Sequence, residues 1–264
     1  MSTPVPLGLA QHEVLQDQRA WPGSRHLLIG GYSLLQGEID AQLLEAALRD
    51  LAAEQPALRL LPALSGQRLL AADEQPVSLW RADFEGTDTD TDTDTDTDRQ
   101  LRRTWAQWLR EPWDPATAPP WRAGWLRFGA GRSAILLLAH HSVLDGWGSA
   151  QFMRRWSELY SARVDGVAPP ATDAEAFVRH LQEDQVYRDG PSHLARDAAF
   201  WAAELPALPP PLIRARHATP PGPRCLPAAL LHALPLARAD YQRWRGLAAS
   251  AQQTEFATLA AVLA

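Results

Sequence analysis

Hydrophobic and polar positions alternate between two periods along this chain, and the changes of period mark its elements. The run HLLIGGYSLL (His26–Leu35) reads as a strand, with Gly30 and Gly31 weakening it or marking a bulge. IDAQLLEAALRDLAAEQP follows, with Asp40 as N-cap, Leu43, Ala47, Leu48 and Leu51 on one helical face, and Pro56 as the stop. ALRLL, QRLLAA and PVSLW predict short strands up to Trp80, and RQLRRTWAQWLREPW predicts a helix. WRAGWLRF and SAILLLA then flank GAGR (Gly129–Arg132), a glycine-rich reversal that predicts a hairpin. AILLLA is apolar at every position, so it is expected to be a central strand covered on both faces. WGSAQFMRRWSELYSA predicts a helix whose stripe is Phe152, Trp156, Leu159 and Tyr160, residues expected in the core. Further helices are expected near Asp173–Arg188 and His193–Glu204. After a proline-rich stretch, AALLHALPL reads as a strand, RADYQRWRGLAASAQQ as a helix, and TEFATLAAVLA as an apolar helical segment.

Composition narrows the class. The chain has 264 residues, 46% of them hydrophobic, enough for a globular protein with a sizeable core. No apolar run approaches the length a bilayer needs, and the first residues lack a basic stretch followed by an apolar one. A single cysteine, Cys225, cannot form an internal disulfide, and a reduced cytoplasmic setting is expected. The net charge of −6 is accounted for by the six aspartates of the Thr-Asp repeat at 87–98. The remainder is neutral, which argues against a nucleic-acid binder. The repeat lacks the glycine turn and terminal glutamate of a calcium loop and is expected to be a flexible surface loop.

The chemistry concentrates in LLLAHHSVLDGWG (Leu136–Gly148). Two histidines stand at the mouth of the buried strand, with Asp145 four residues after the second. A neutral imidazole can accept a proton from a nucleophile near neutral pH if its other nitrogen is held. Asp145 can hold the loop through backbone amides or an arginine. Gly146 lets backbone approach a substrate and can present its N–H to a developing oxyanion. Adjacent histidines point in different directions and no other His/Cys cluster is near, so a metal site is not expected. Ser142 and Ser149 lack the Gly-x-Ser-x-Gly elbow of a serine hydrolase. Two capped histidines with no chemistry are the bland alternative.

HHSVLDG resembles the H-H-x-x-x-D-G signature of condensation domains in nonribosomal peptide synthetases. The resemblance extends along the chain. LAQ (Leu9–Gln11) resembles the opening of those domains. LQGEIDAQLLEAALRDLAAEQPALR resembles their first strand-to-helix segment, ending at Leu58–Arg59. EPWDPATAPPWRA, AAFWAAELPALPPPL and TEFATLAAVLA resemble later segments in order, with Trp113 where phenylalanine is usual. The residues after Gln11 and after Arg59 depart from the family's pattern.

The resemblance implies an α/β fold, a two-layer sandwich like chloramphenicol acetyltransferase, as one lobe of a two-lobed domain. It divides the chain into an N-terminal lobe at 1–204, a proline-rich crossover at 205–223, and the start of a truncated C-terminal lobe at 224–264. It implies amide formation by attack of a carrier-bound amine on a carrier-bound acyl or peptidyl thioester. His141 would be catalytic, with Gly146 against the substrate. His140 would be structural, and Asp145 would pair with Arg59 to hold the loop. No metal or diffusible cofactor is implied, since phosphopantetheine belongs to the donor and acceptor carrier proteins. The other partner is the missing C-terminal lobe, without which the chain is expected to catalyse poorly. The same motif also serves epimerization domains and CoA-dependent acyltransferases. A non-catalytic remnant or a carrier-docking half-domain is the alternative of another class. Glycerolipid acyltransferases share the spacing of His140 and Asp145 but usually carry a membrane-binding stretch, which is not seen here.

Overall fold

The computed structural model describes residues 4–22, 24–75, 77–84, 93–111, 120–129, 131–207 and 236–263. The elements run β1 (Pro4–Val5), α1 (Leu9–Ala20), β2 (Leu28–Gln36), α2 (Ala41–Glu54), a 3₁₀ turn (Pro56–Arg59), β3 (Leu60–Ala63), β4 (Gly66–Leu69), β5 (Trp80–Asp83), α3 (Thr93–Arg110), β6 (Trp121–Arg127), β7 (Arg132–His140), α4 (Gly146–Asp165), α5 (Ala176–Asp189), α6 (Pro191–Glu204), a 3₁₀ turn (Leu205–Ala207), α7 (Arg238–Ser250) and α8 (Glu255–Leu263). They fall into two compact units, Met1–Leu194 and Ala195–Ala264.

The first unit is built on a four-stranded sheet of order β2-β7-β6-β5. The predicted hairpin is present, with β6 and β7 antiparallel in the register Trp121↔Ala139 to Arg127↔Ser133. β2 is antiparallel to β7, and β5 is parallel to β6. β7 is buried from Ser133 to His140, which explains its uninterrupted apolar run. Alternate side chains enter two cores. Ile135, Leu137 and Ala139 meet α2 and α4 through Leu44, Leu48, Leu51, Phe152 and Trp156. Ala134, Leu136 and Leu138 meet Leu101 and Trp108 of α3. β1, β4 and β3 form a smaller antiparallel sheet.

Local signals explain the helices that carry the site. Asp40 caps α2, its Oδ1 accepting from the N–H groups of Gln42 and Leu43 at 2.8 and 3.0 Å. Leu44, rather than Leu43, lies fully buried beside Ala47, Leu48 and Leu51. Phe152, Trp156 and Leu159 of α4 are buried as expected, and Trp156 Nε1 donates to the Leu44 carbonyl at 2.9 Å. Arg155 joins α4 to α2 with a two-pronged bond to Glu54 at 2.6 and 2.9 Å.

The Thr-Asp repeat departs from the expected loop. Residues 87–92 lie outside the described residues, but Thr93–Asp98 form the opening turns of α3. Carboxylates are favourable near a helix N-terminus, and Asp98 pairs with Arg102 one turn on at 2.6 Å. That guanidinium holds the Asp98 carboxyl below its usual range. The strand expected at AALLHALPL and most of the proline-rich crossover lie outside the described residues.

In the second unit, Tyr241 of α7 donates to Glu255 of α8 at 2.7 Å, and Arg245 pairs with the same carboxylate. Leu247, Phe256 and Leu259 are exposed there. Among the described residues, no helix is long and apolar enough to cross a membrane.

Candidate active site

The site is the turn between β7 and α4. The strand ends when the His140 N–H bonds to the Pro120 carbonyl at 2.8 Å, and the His141 N–H bonds to the Leu27 carbonyl at 2.8 Å. The chain then coils, with Val143 N–H donating back to the His140 carbonyl at 3.1 Å. Asp145 begins α4 as its N-cap, Oδ1 accepting from the Gly148 N–H at 2.6 Å. His140, His141, Val143 and Asp145 therefore each have a local backbone task in shaping the turn.

The two imidazoles sit in different surroundings. His140 is 2% exposed. Its Nδ1 faces the Ser142 N–H at 3.2 Å and the Ser142 hydroxyl at 2.8 Å, and its Nε2 faces Gln18 Oε1 at 3.4 Å. A backbone N–H can only donate, so Nδ1 is the acceptor and Nε2 carries the proton. Burial, with smaller contributions from His141 and His26, pushes the His140 pKa down to about 4. This ring stays neutral at physiological pH.

Neutrality of His140 predicts acid sensitivity. Its folded value of about 4 lies below the ordinary 6.5. Between those values the unfolded chain binds a proton that the folded chain refuses. Stability is full above pH 6.5 and falls as pH drops toward 4, by up to about 3 kcal/mol from this group. Urea unfolding at pH 7.5 and pH 5 is expected to show about 2 kcal/mol of that loss, and His140→Gln is expected to flatten it. An equal slope in both proteins would remove His140 as the cause.

His141 is half-buried and makes no side-chain hydrogen bond among the described residues. It lies at the meeting of two cavities of the first unit. One, of about 780 Å³, lies against α1, α4 and α5 and is lined by Gln11, Leu58, Phe152, Phe177 and Leu181. The other, of about 590 Å³, lies against β2 and α4 and is lined by Tyr32, Gly146, Ala150 and Met153. Trp147 is 75% exposed and borders the larger cavity.

Gly146 is the first residue of α4, and its N–H stands at the open helix start. A β-carbon there would meet nothing within 4 Å. The chain's own packing does not require glycine at this position.

The expected Arg59–Asp145 pair is not formed. Arg59 donates instead to the carbonyls of Ala52 and Leu70, at 3.1 and 2.5 Å. Ala52 lies in the last turn of α2, where carbonyls lack intrahelical partners and attract a cation. Burial lowers the Arg59 pKa. Arg59 therefore braces the exit of α2 against β4, while Asp145 holds its own helix start.

Sequence reasoning missed the residues that fasten the turn. Gln11, buried in α1, donates from Nε2 to the Ser142 carbonyl at 2.9 Å. It also pairs with Gln67 by reciprocal amide bonds of 3.2 and 3.0 Å. Gln18 reaches His140 from the same helix. Gln11, Leu15 and Gln18 share one helical stripe, so the 3.6-residue period contained the signal.

Comparisons with known proteins agree with this geometry. The family described as "Condensation domain" matches residues 1–225. The chain is 32% identical over 184 residues to a dimodular nonribosomal peptide synthase of Bacillus subtilis (strain 168), covering 66% of this chain and 7% of that one. It is 27% identical over 229 residues to an isonitrile lipopeptide synthase of Streptomyces coeruleorubidus, covering 86% of this chain and 15% of that one. Among solved structures, the first condensation domain of the calcium-dependent antibiotic synthetase superposes with TM-score 0.64 and 27% identity, over 80% of this chain and 49% of that one. The starter condensation domain of rhizomide synthetase, as a mutant, gives TM-score 0.65 and 25% identity, over 78% and 49%. The buried strand, the turn with its two histidines, and a match over residues 1–225 lead to one assignment: this chain belongs to the condensation-domain family and spans about half of the solved domains it resembles.

Proposed function

We propose that this chain is the histidine-bearing half of a nonribosomal peptide synthetase condensation domain, and that His141 serves amide formation. The observation that carries the reading is the placement of His141. Its ring makes no side-chain hydrogen bond among the described residues and borders both cavities. Two substrates arriving through different cavities would meet at that ring.

The chemistry balances without a metal or diffusible cofactor. The acceptor amine attacks the donor thioester carbon, a C–N bond forms, and a tetrahedral intermediate develops. His141 orients the amine and takes the proton it sheds. The C–S bond breaks, and the proton passes to the departing thiolate. The phosphopantetheine arms that present both substrates belong to the donor and acceptor carrier proteins. His140, neutral and bonded on both nitrogens, supports the loop. Asp145 supports it through the cap of α4, while Arg59 serves the exit of α2 instead.

Gly146 leaves room for substrate. Gly146→Ala is expected to keep the melting temperature within about 2 °C, because the added methyl meets nothing within 4 Å. The same variant in a complete two-lobed domain is expected to form amide more slowly. Unchanged amide rates would show that the space is not used.

Enclosing two carrier-bound substrates needs the other half of the domain. The exposed apolar side chains Tyr32, Leu34 and Trp147 support that view. The chain alone, incubated with two loaded carrier proteins, is expected to give no amide product by mass spectrometry, and a complete domain containing it is expected to give product. Product from the chain alone would overturn the half-domain reading.

A further inference from the structure

We infer that α1 is a positioning element for His141, with Gln11 and Gln18 as positioning residues. The inference rests on the proposed role of His141. Gln11 and Gln18 are seven residues apart, so they lie on one helical face about 10 Å apart along the axis. Leu15 lies between them and is buried. The two glutamines grip the residues on either side of His141. Gln11 holds the backbone of Ser142 through its carbonyl at 2.9 Å. Gln18 faces His140 Nε2 at 3.4 Å. His141, between the two held residues, makes no side-chain hydrogen bond among the described residues.

The grip is itself held. Gln11 Oε1 accepts from the Gly8 N–H at 3.0 Å and from Gln67 Nε2 at 3.0 Å. Gln67 Nε2 also donates to the Pro6 carbonyl at 2.5 Å. Both polar atoms of the buried Gln11 amide are used, so turning it over would break several bonds at once. The Gln18 amide donates to the Trp21 carbonyl at 3.3 Å. At the start of α1, the Leu9 N–H donates to Asp184 of α5 at 3.0 Å, and Arg188 donates to the Leu7 carbonyl at 2.6 Å. A rigid helix anchored at its start thus fixes two points of the turn. Apolar side chains could fill the same volume, but only bonded amides fix where a carbonyl and an imidazole point.

The test reads the ring itself. In the full chain, the Hε1–Cε1 resonance of His141 is assigned by its loss in His141→Asn and compared between variants at one pH. Gln11→Met keeps the volume and removes the grip. It is expected to broaden, double or displace the His141 resonance, while the indole resonance of Trp156, deep in the core, stays in place. A folded Gln11→Met protein with an unchanged His141 resonance overturns the inference. If Gln11→Met does not fold, Gln11→Glu and Gln18→Met decide. The first still accepts from Gly8 and Gln67 but cannot donate to the Ser142 carbonyl, and the second releases His140. An unchanged His141 resonance in both overturns the inference. The reading is separable from the proposed reaction, which fails instead if His141→Ala leaves amide formation intact.

Discussion

Replacing His141 by alanine in a complete two-lobed domain containing this chain is expected to slow amide formation by about 10²- to 10⁴-fold, the usual contribution of a positioned acid–base group. The ring is half-buried and has no side-chain hydrogen bond among the described residues. Its loss should therefore change stability by only about 0.5 kcal/mol. The combination of a large kinetic effect and a small thermodynamic one is diagnostic. His140→Ala is expected to cost more stability than His141→Ala, because it leaves the Ser142 hydroxyl and Gln18 Oε1 without this buried partner. The measurement is the initial rate of amide product from two loaded carriers, by mass spectrometry, beside urea unfolding of the same variants. Equal rates for His141→Ala and the unmutated domain would remove His141 from the chemistry.

The contrast between the histidines shows what the sequence could and could not reveal. Their position was legible, because the apolar run of β7 and the glycine-rich reversal before it fix where a buried strand must end. The cap at Asp40 and the stripe on α4 were legible for the same reason, since both depend on residues close in the chain. The partners of Arg59 were not. Arg59 could serve a carboxylate or any carbonyl within its reach, and only the placement of its 3₁₀ turn between α2 and the end of β4 selects Ala52 and Leu70. The first turns of α3 were hidden too. Alternating Thr and Asp have poor helix propensity, and the pairing of Asp98 with Arg102 one turn on shows only in the structure. The glutamines of α1 share a stripe with Leu15, but what they bind shows only once the turn is placed beside them.

Glycines make the same point and carry the second large prediction. Gly30 and Gly146 look alike in sequence, and the structure separates them. Gly30 lies within β2, opposite Leu138 of β7, in continuous register without the bulge that sequence allowed. Its φ of 155° is one that L-residues rarely adopt. A β-carbon there would lie 1.9 Å from the Leu137 carbonyl oxygen and 2.9 Å from the Trp105 ring. The carbonyl belongs to the most buried strand of the sheet, so it cannot retreat without disturbing both cores. Gly30→Ala is therefore expected to cost about 3 kcal/mol or more, combining backbone strain with overpacking. For a unit of this size that is a fall of about 6–12 °C in melting temperature. The strand also lines the smaller cavity beside His141, so the damage should reach the site. Circular dichroism melts of the full chain check the first effect, and the His141 resonance at a temperature where the variant remains folded checks the second. A Gly30→Ala protein that melts with the parent would mean that β2 can shift away from β7 at little cost, and the geometry assigned to the β2 side of the site would have to be revised with it.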